Sequence, residues 1–547
     1  MPSPDARPVL RFTSGGVLPP ALLRHLDVLA VEKRAEFNAM IDSLSDARDR
    51  NIDWWVSLPA TRNTHTGQLF ARCVQLALVR DLINQGSAPV VRTDDKALAR
   101  VLGSVLRDVV LVKGPSRWRN MAHNIASSLF HALSAHGAAR RTRHLARSLP
   151  EKSGLLEVYV QRDSFDKESF RDRYYPGLVE SLDENRRERL FYLPIFHRIR
   201  DYGRLFLQLR QAPQNFLLRE DYLTLADYLF AFGHWWRAGQ MKGMRAAFAG
   251  FEIGPLLDAE LDAGRFTNAS VQALLAYRFW RFRAPFIGAT LVDWYEGHDI
   301  DHATAAAIRW HGGKTRLVAM RPIAPDAYLS LTPTEGEIRA EVVAKEWVVV
   351  GRTRRASMRR SFPALSVGVA PGLRHRMLDA LPAVPLDTNV PSVLVMLSSE
   401  GAFVDRVAAM LRDAGRQTEW QWLIKRHPAM PRAEMERRFR YVEWVTFVEG
   451  EYALSLAGAD VVAGLGTNTL IEAAAMGVPV ICLSAGNTPA ELPFSAEDVA
   501  WWRAAYDAPE LIAAVRAALT EAPQRTDKAL EQLGPFDPAI LQAILLP

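Results

Sequence analysis

Cysteine is almost missing from this chain: its 547 residues include two, Cys73 and Cys482, far apart in sequence. That excludes a disulfide framework and every cysteine-based zinc spacing, and it fits a reducing compartment. Also missing is any apolar run near the roughly 18 residues that a membrane-spanning helix needs. The opening MPSPDARPVLRF lacks the charged-then-apolar layout of a signal peptide, so we expect a cytoplasmic protein that does not cross the membrane. Charge of either sign is modest, with a net +6 and a sequence pI near 9.3. No nucleic-acid-binding motif accompanies that excess, so no nucleic-acid partner is expected. The remainder is ordinary for a globular chain, 49% hydrophobic and 23% charged, with a length that suits roughly two to four domains.

Strand-like apolar runs alternate with helical stretches in the first part of the chain. We read strands at Asp53–Ser57, Ala88–Arg92, Asp108–Val112, Leu155–Val160 and Leu190–Ile195, then again at Ile287–Val292, Thr315–Met320 and Trp347–Val350. Such alternation predicts a parallel, doubly wound sheet. Residues 196–286 are rich in Leu, Phe, Tyr, Trp and Arg and read as an α-helical insertion. A long helical pattern, Trp118 to Arg147, carries Met121, Ile125, Leu129, Phe130 and Leu133 on one side and ends in the basic run Arg140 to Arg147. Such a helix is either a packed surface helix with a solvated basic face or a peripheral contact, through 118–147, with the inner face of an anionic membrane.

The second part of the chain is organised around Ala459 to Ser484, ADVVAGLGTNTLIEAAAMGVPVICLS. It reads as strand, glycine-containing turn, helix, turn and strand. Thr469-Leu470-Ile471-Glu472 has the spacing of a capping box, and Gly477 ends the helix. A turn of this kind leaves N–H groups and a positive helix end at the carboxyl edge of a parallel sheet, which suits a phosphate. Upstream, Gln421 to Arg426 reads as a strand running into His427-Pro428, and Ser392 to Leu397 as another, ending in Ser398-Ser399-Glu400-Gly401.

The succession of a Ser-Ser-Glu-Gly loop, a strand ending in His-Pro, and D-x-x-x-G-x-G-T-N-T-x-x-E-A-x-x-x-G-x-P-V resembles the C-terminal half of GT-B glycosyltransferases. It is most similar to bacterial surface-carbohydrate transferases with an HP motif, of the sialyl-, Kdo- and polyol-phosphate-transferase kind. The resemblance is best over Val393 to Leu483 and extends weakly back to about Asp53. It implies an α/β fold of two Rossmann-like domains facing a cleft, with the helical insertion in the first. We expect an acceptor domain over 1–381, a nucleotide-sugar-binding domain over 382–547 and a linker near Pro382 to Pro391. C-terminal helices that pack back across the cleft are also implied, with Trp501, Trp502 and Tyr506 as their packing surface.

The resemblance assigns the donor to Ser398, Ser399, Glu400, His427, Pro428, Gly466, Thr467, Asn468, Thr469 and Glu472. On that reading the turn at 466–469 and a protonated His427 hold the leaving phosphate. Asp293 and Glu296, just beyond the strand at Ile287, are candidates for the general base that takes the acceptor's proton. They otherwise cap the next helix and pair with nearby arginines. Ser57, Arg62, Asn63 and His65 are candidates for the acceptor side. Arg321 stands where related transferases carry a Gln-His-Gly histidine, and Arg374-His375-Arg376 is a second basic spot. Asp299-x-Asp301 spells a metal motif of another transferase fold, but two carboxylates rarely suffice for Mg²⁺ or Mn²⁺. No metal and no cofactor are therefore expected. Counting eight positions back from Glu472 gives Gly464, so the paired glutamates of many retaining enzymes are missing and inversion is favoured. The expected reaction is transfer from a nucleotide-activated donor, by the HP resemblance a CMP-linked nonulosonate or Kdo, to a glycan, glycolipid or glycoprotein acceptor. A CDP-polyol phosphotransferase, a nucleotide-sugar 2-epimerase and a non-catalytic glycan-binding or assembly module are the alternatives.

Overall fold

The structure is a computed structural model that describes residues 7–114, 117–147, 150, 152–161, 164–166, 169–284, 288–323, 328–380, 390–417, 419–450, 455–456, 458–490, 492, 502–520 and 533–546. Most of the expected linker and Trp501 lie outside these residues.

Three parallel sheets carry the architecture. The first holds β1 (Val9–Phe12), β2 (Val90–Thr93) and β3 (Val109–Leu111) in that order. The second is built from β4 (Gly154–Val160), β5 (Leu190–Phe196), β6 (Asn215–Phe216), β7 (Thr290–Trp294), β8 (Arg316–Arg321), β9 (Glu346–Val350) and β10 (Ser366–Ala370). Its spatial order is β10-β9-β8-β7-β4-β5-β6, every neighbouring pair parallel. The third comprises β11 (Ser392–Met396), β12 (Gln421–Lys425), β13 (Val445–Val448), β14 (Val461–Gly464), β15 (Val480–Leu483) and β16 (Trp502–Ala505), ordered β13-β12-β11-β14-β15-β16.

In both large sheets the chain winds outward in one direction from its first strand, then returns to wind the other way. This is the strand order of a Rossmann-like domain, and it opens a crevice where the winding reverses. That switch falls between β4 and β7 in one sheet and between β11 and β14 in the other. The expected α/β class with two Rossmann-like sheets is therefore observed. The sequence explains the strands locally: β7, β14 and β15 are buried along their whole length, as strands covered on both faces must be. One buried core runs from Leu156, Val158 and Val292 of the second sheet to Val462, Leu470 and Val480 of the third, so the two halves share apolar contacts. A helix at Pro538–Leu545 returns from the third sheet to the second, where Arg316 Nη1 donates to Ile544 O at 3.1 Å.

Several expectations are corrected. Asp53–Ser57 is no strand: Asn51 Oδ1 accepts from Asp53 N at 3.0 Å and starts a short helix, Ile52–Trp55. The strands near 90 and 109 exist but belong to the separate small sheet, where β2 pairs with β1 and β3 with β2. The 196–286 stretch is mainly helical, with β6 and a short hairpin inside it. The long basic helix, α1 (Arg117–Thr142), turns its small residues inward instead of its large ones: Ser128, Ala132, Ala135, Ala138 and Ala139 are buried. Among the described residues no helix is long and apolar enough to cross a membrane.

The N-terminal helices are locked to the second sheet by one buried ion cluster. Arg62, in the left-handed region at φ 53°, grips Glu337 through Nη2 at 2.8 and 2.9 Å and also donates to the carbonyls of Leu329 and Thr332. His302 approaches the same carboxylate at 3.4 Å and bonds Trp55 O at 3.0 Å through Nδ1. Burial pushes the Glu337 carboxyl up, but Arg62 and His302 outweigh it and bring the group down to about 2. Because both side chains are fully buried, removing one partner strands a charge. Glu337→Ala is expected to lower stability by about 3–5 kcal/mol in urea unfolding at pH 7. The wild-type cluster should hold at neutral pH and weaken only as the pH falls from the ordinary glutamate range towards 2.

Candidate functional site

The site is built on the two switch points. At the end of β7 the chain makes a turn, Tyr295 to His298, before entering α2 (Asp299–Trp310). Gly297 has φ 68°, and a Cβ there would sit 2.3 Å from Ser330, so the turn needs glycine at this position. His298 caps α2, and Asp301 Oδ2 accepts from the N–H groups of His298 and Glu296 at 2.9 and 3.1 Å. These bonds aim Glu296 and His298 out of the sheet edge. The Glu296 carboxylate accepts from Trp294 Nε1 at 2.9 Å and faces His298 Nε2 at 3.3 Å, with its side chain 36% exposed.

Protons in this group are placed by its neighbours. Asn63 Oδ1 accepts from His65 N at 2.9 Å, which turns the Asn63 amide nitrogen towards His298 Nδ1 at 3.0 Å. With an N–H donor at Nδ1, the uncharged ring carries its hydrogen on Nε2 and donates it to Glu296. Burial works against a charge on His298, yet Glu296, Asp301 and Asp299 outweigh it and push the group up to about 9. Protonation at Nδ1 therefore has to turn Asn63 away. For Glu296 burial is again the largest influence and raises it, but His298 and Trp294 hold the carboxyl below its usual range. Glu296 is thus ionised at neutral pH.

Across the crevice lies α3 (Asn468–Ala475), which follows β14 through Leu465, Gly466 and Thr467. Its N-cap, Thr467, makes no side-chain cap bond, so no side-chain oxygen of the cap occupies the N–H groups of the first turn, of which Leu470 N donates to Thr467 O at 3.1 Å. Thr467, Asn468 and Thr469 are half-buried there. Tyr328 joins the two sides: its hydroxyl donates to Gly466 O at 2.9 Å, and its ring meets His65 edge-on with centroids 4.3 Å apart. Ser398, Ser399 and Glu400 follow β11 on the other flank of the same switch, with Ser398 Oγ accepting from Glu400 N at 3.1 Å. His427 and Pro428 follow β12 and are exposed.

The sequence candidates separate accordingly. Glu296, Asn63, His65 and the Gly466 turn are brought together. Glu472 does not close a capping box; it forms a buried pair with His375 Nδ1 at 2.7 Å, because the helix starts at Asn468 and puts Glu472 on its inner face. Ser57 is buried ahead of the short helix Leu58–Thr61, and Arg62 is held in its ion cluster, so neither lines the crevice. Arg321, also buried, donates to Thr332 Oγ1 at 3.4 Å. Asp293 lies behind the turn, fully buried beside Glu157. His427 differs in charge from the expectation: partial loss of water on the inner side of the ring and the Arg198 charge depress it, and its Nδ1 accepts from Ala429 N at 3.1 Å, so the neutral ring offers an Nε2–H. Missed in the sequence were Tyr328 and Asn63 as the orienter of the uncharged His298; Arg374, from the second basic spot, acts electrostatically on both Glu296 and Tyr174.

No protein-family model and no curated protein matches the chain. Among solved structures it is similar to the UDP-GlcNAc 2-epimerase from Neisseria meningitidis bound to UDP-GlcNAc, at 10% identity and TM-score 0.38, over 72% of this chain and 99% of that one. It is similar to CalG4, the calicheamicin glycosyltransferase, at 13% identity and TM-score 0.40, over 72% and 99%. A third is the lipopolysaccharide outer core galactosyltransferase WaaB in its apo form, at 9% identity and TM-score 0.35, over 72% and 94%.

The His298–Glu296 pairing gives a direct test. In His298→Ala, Glu296 keeps its burial and loses its main partner, so its carboxyl is expected to titrate above the ordinary glutamate range. Carbon-13 NMR of the labelled side chain reads this shift, and an unchanged titration contradicts the pairing.

Proposed function

We propose that the chain transfers a sugar from a nucleotide-activated donor to a glycan, glycolipid or glycoprotein acceptor, with inversion. The observation that carries this reading is the meeting of two switch points: an uncapped helix end on one side and an ionised glutamate oriented by histidine on the other. The donor phosphate lies against the N–H groups of Gly466 to Thr469, with Ser398, Ser399 and Glu400 beside it. As the bond to the sugar breaks, negative charge grows on that phosphate, and preorganised donors favour this state over the ground state. His427 contributes as a neutral Nε2–H donor. Glu296 takes the proton of the attacking hydroxyl, and His298 and Trp294 keep it aligned. A CMP-linked acidic sugar is the favoured donor, supported by the HP resemblance and by Arg198 and Arg374, whose charges reach His427 and Glu296.

Nucleotide release from CMP-, CDP-, UDP- and GDP-activated donors tests the reading. Release of CMP from an acidic-sugar donor is expected, falling about 10²–10⁴-fold in Glu296→Gln and about 10²-fold in His427→Ala. A product that retains its nucleotide and changes only its sugar configuration would favour the 2-epimerase instead. No turnover of any donor by folded protein would favour the binding module.

The acceptor side of the proposal includes an anionic membrane surface, where lipid-linked acceptors are met. Helix α1 supports this, since Trp118 is 76%, Phe130 48% and Leu133 68% exposed, next to the exposed Arg140, Arg141 and Arg143. Leu133→Asp should weaken co-sedimentation with anionic vesicles several-fold while leaving the melting temperature in place; equal binding to neutral vesicles would contradict an electrostatic contribution.

A further inference from the structure

Behind the Glu296–His298 turn lies a second polar group, closed off from solvent. Glu157 of β4, Asp293 of β7 and Asp301 of α2 are 1%, 2% and 1% exposed, and one carboxylate oxygen of each lies within 4.8 Å of the others. Asp301 divides its two oxygens: Oδ2 takes the turn's N–H groups, while Oδ1 meets no donor. Asp293 Oδ1 meets none either. Glu157 plays no part in the helix cap; it enters from a different strand, and no N–H or hydroxyl donor meets either of its oxygens, so that without a cation it can bond the neighbouring Asp293 carboxyl only by sharing a proton. Two residues on, on the same face of β4, the Tyr159 hydroxyl is also buried without a partner. Arg219 acts on Glu157 through its charge alone and donates instead to Pro194 O at 3.4 Å.

Carboxylates taken out of water cost several kcal/mol each unless a positive charge meets them. Three oxygens no more than 4.8 Å apart leave a centre about 2.8 Å or less from each, close to the distance at which carboxylates hold a hard divalent cation. We propose that Glu157, Asp293 and Asp301 form a site for a hard divalent cation such as Ca²⁺, Mg²⁺ or Mn²⁺. The ion ties β4 and β7 to the start of α2 and so fixes the turn that presents Glu296 and His298. It is enclosed and does not meet the donor phosphate. Only one residue of the Asp299-x-Asp301 motif belongs to it, since the Asp299 carboxylate accepts from Ile300 N at 3.0 Å. The proposal is independent of the transferase reading, because its signature is bound metal and stability.

The purified full chain is exchanged into chelator-treated buffer, divided among Ca²⁺, Mg²⁺ and Mn²⁺, freed of unbound ion and assayed by plasma mass spectrometry and thermal melting. The expected result is one ion per chain for at least one cation, with a rise in melting temperature that a chelator reverses. Glu157→Gln and Asp293→Asn should each retain about tenfold less metal and melt at a temperature insensitive to the ion. Wild-type protein that binds no stoichiometric metal, and whose melting ignores cations and chelator, overturns the proposal whether or not the variants fold. In that case the carboxylates share protons. Glu157, which burial pushes up to about 7, then makes stability decline as the pH rises through 7.

Discussion

Parallel strands cannot be joined by hairpins, and this constraint places every polar group discussed above. Each crossover must pass over a face of the sheet, so a sheet that winds both ways leaves one gap at its carboxyl edge where no crossover covers the strand ends. In this protein the gap between β4 and β7 holds Glu296 and His298, and the gap between β11 and β14 holds Ser398 and the Gly466 turn. Tyr328 spans the two with a hydrogen bond to a main-chain carbonyl. The geometry on both sides then follows from rigid elements, with few residues left to choose their own orientation.

The charge states follow from the same arrangement. In the uncharged ring a run of hydrogen bonds from the His65 N–H through Asn63 to His298 ends on Glu296; the charged ring, which the carboxylates favour at neutral pH, keeps its Nε2–H on Glu296 and releases Asn63. The field of the buried acids behind the turn strengthens that pull. His427, which lacks such neighbours and lies beside Arg198, is left neutral. One histidine is thus poised by carboxylates and the other by an arginine, and the difference suits a proton acceptor on one side of a cleft and a neutral donor on the other.

The sequence made the third sheet legible because each of its central strands has a short apolar run, at 393–396, 422–424, 461–463 and 480–483, close to glycine, proline, hydroxyl or charged residues. The turn at 464–469 is where the pattern placed it, as is the helix that Gly477 ends at φ 82°. Asp53–Ser57 misled because the three-residue apolar run Trp54-Trp55-Val56 has no period to separate strand from helix; the deciding bond comes from Asn51. Glu472 misled because Thr469 and Glu472 have capping spacing, although the N-cap is Thr467, two residues earlier, and the helix pairs that glutamate with a distant histidine. Glu157, Tyr328 and the Arg62 cluster depend on partners more than a hundred residues away, which no local pattern encodes.

The claim that the two gaps form one nucleotide-binding cleft rests on the main-chain N–H groups at the start of α3. Hydrogen exchange at 465–470 of wild-type protein, with and without saturating CMP, CDP, UDP or GDP, measures those groups directly. Slower exchange at Thr467, Asn468 and Thr469 with the nucleotide that binds is the predicted result. A bound nucleotide that leaves these amides unchanged and protects another surface would contradict the account.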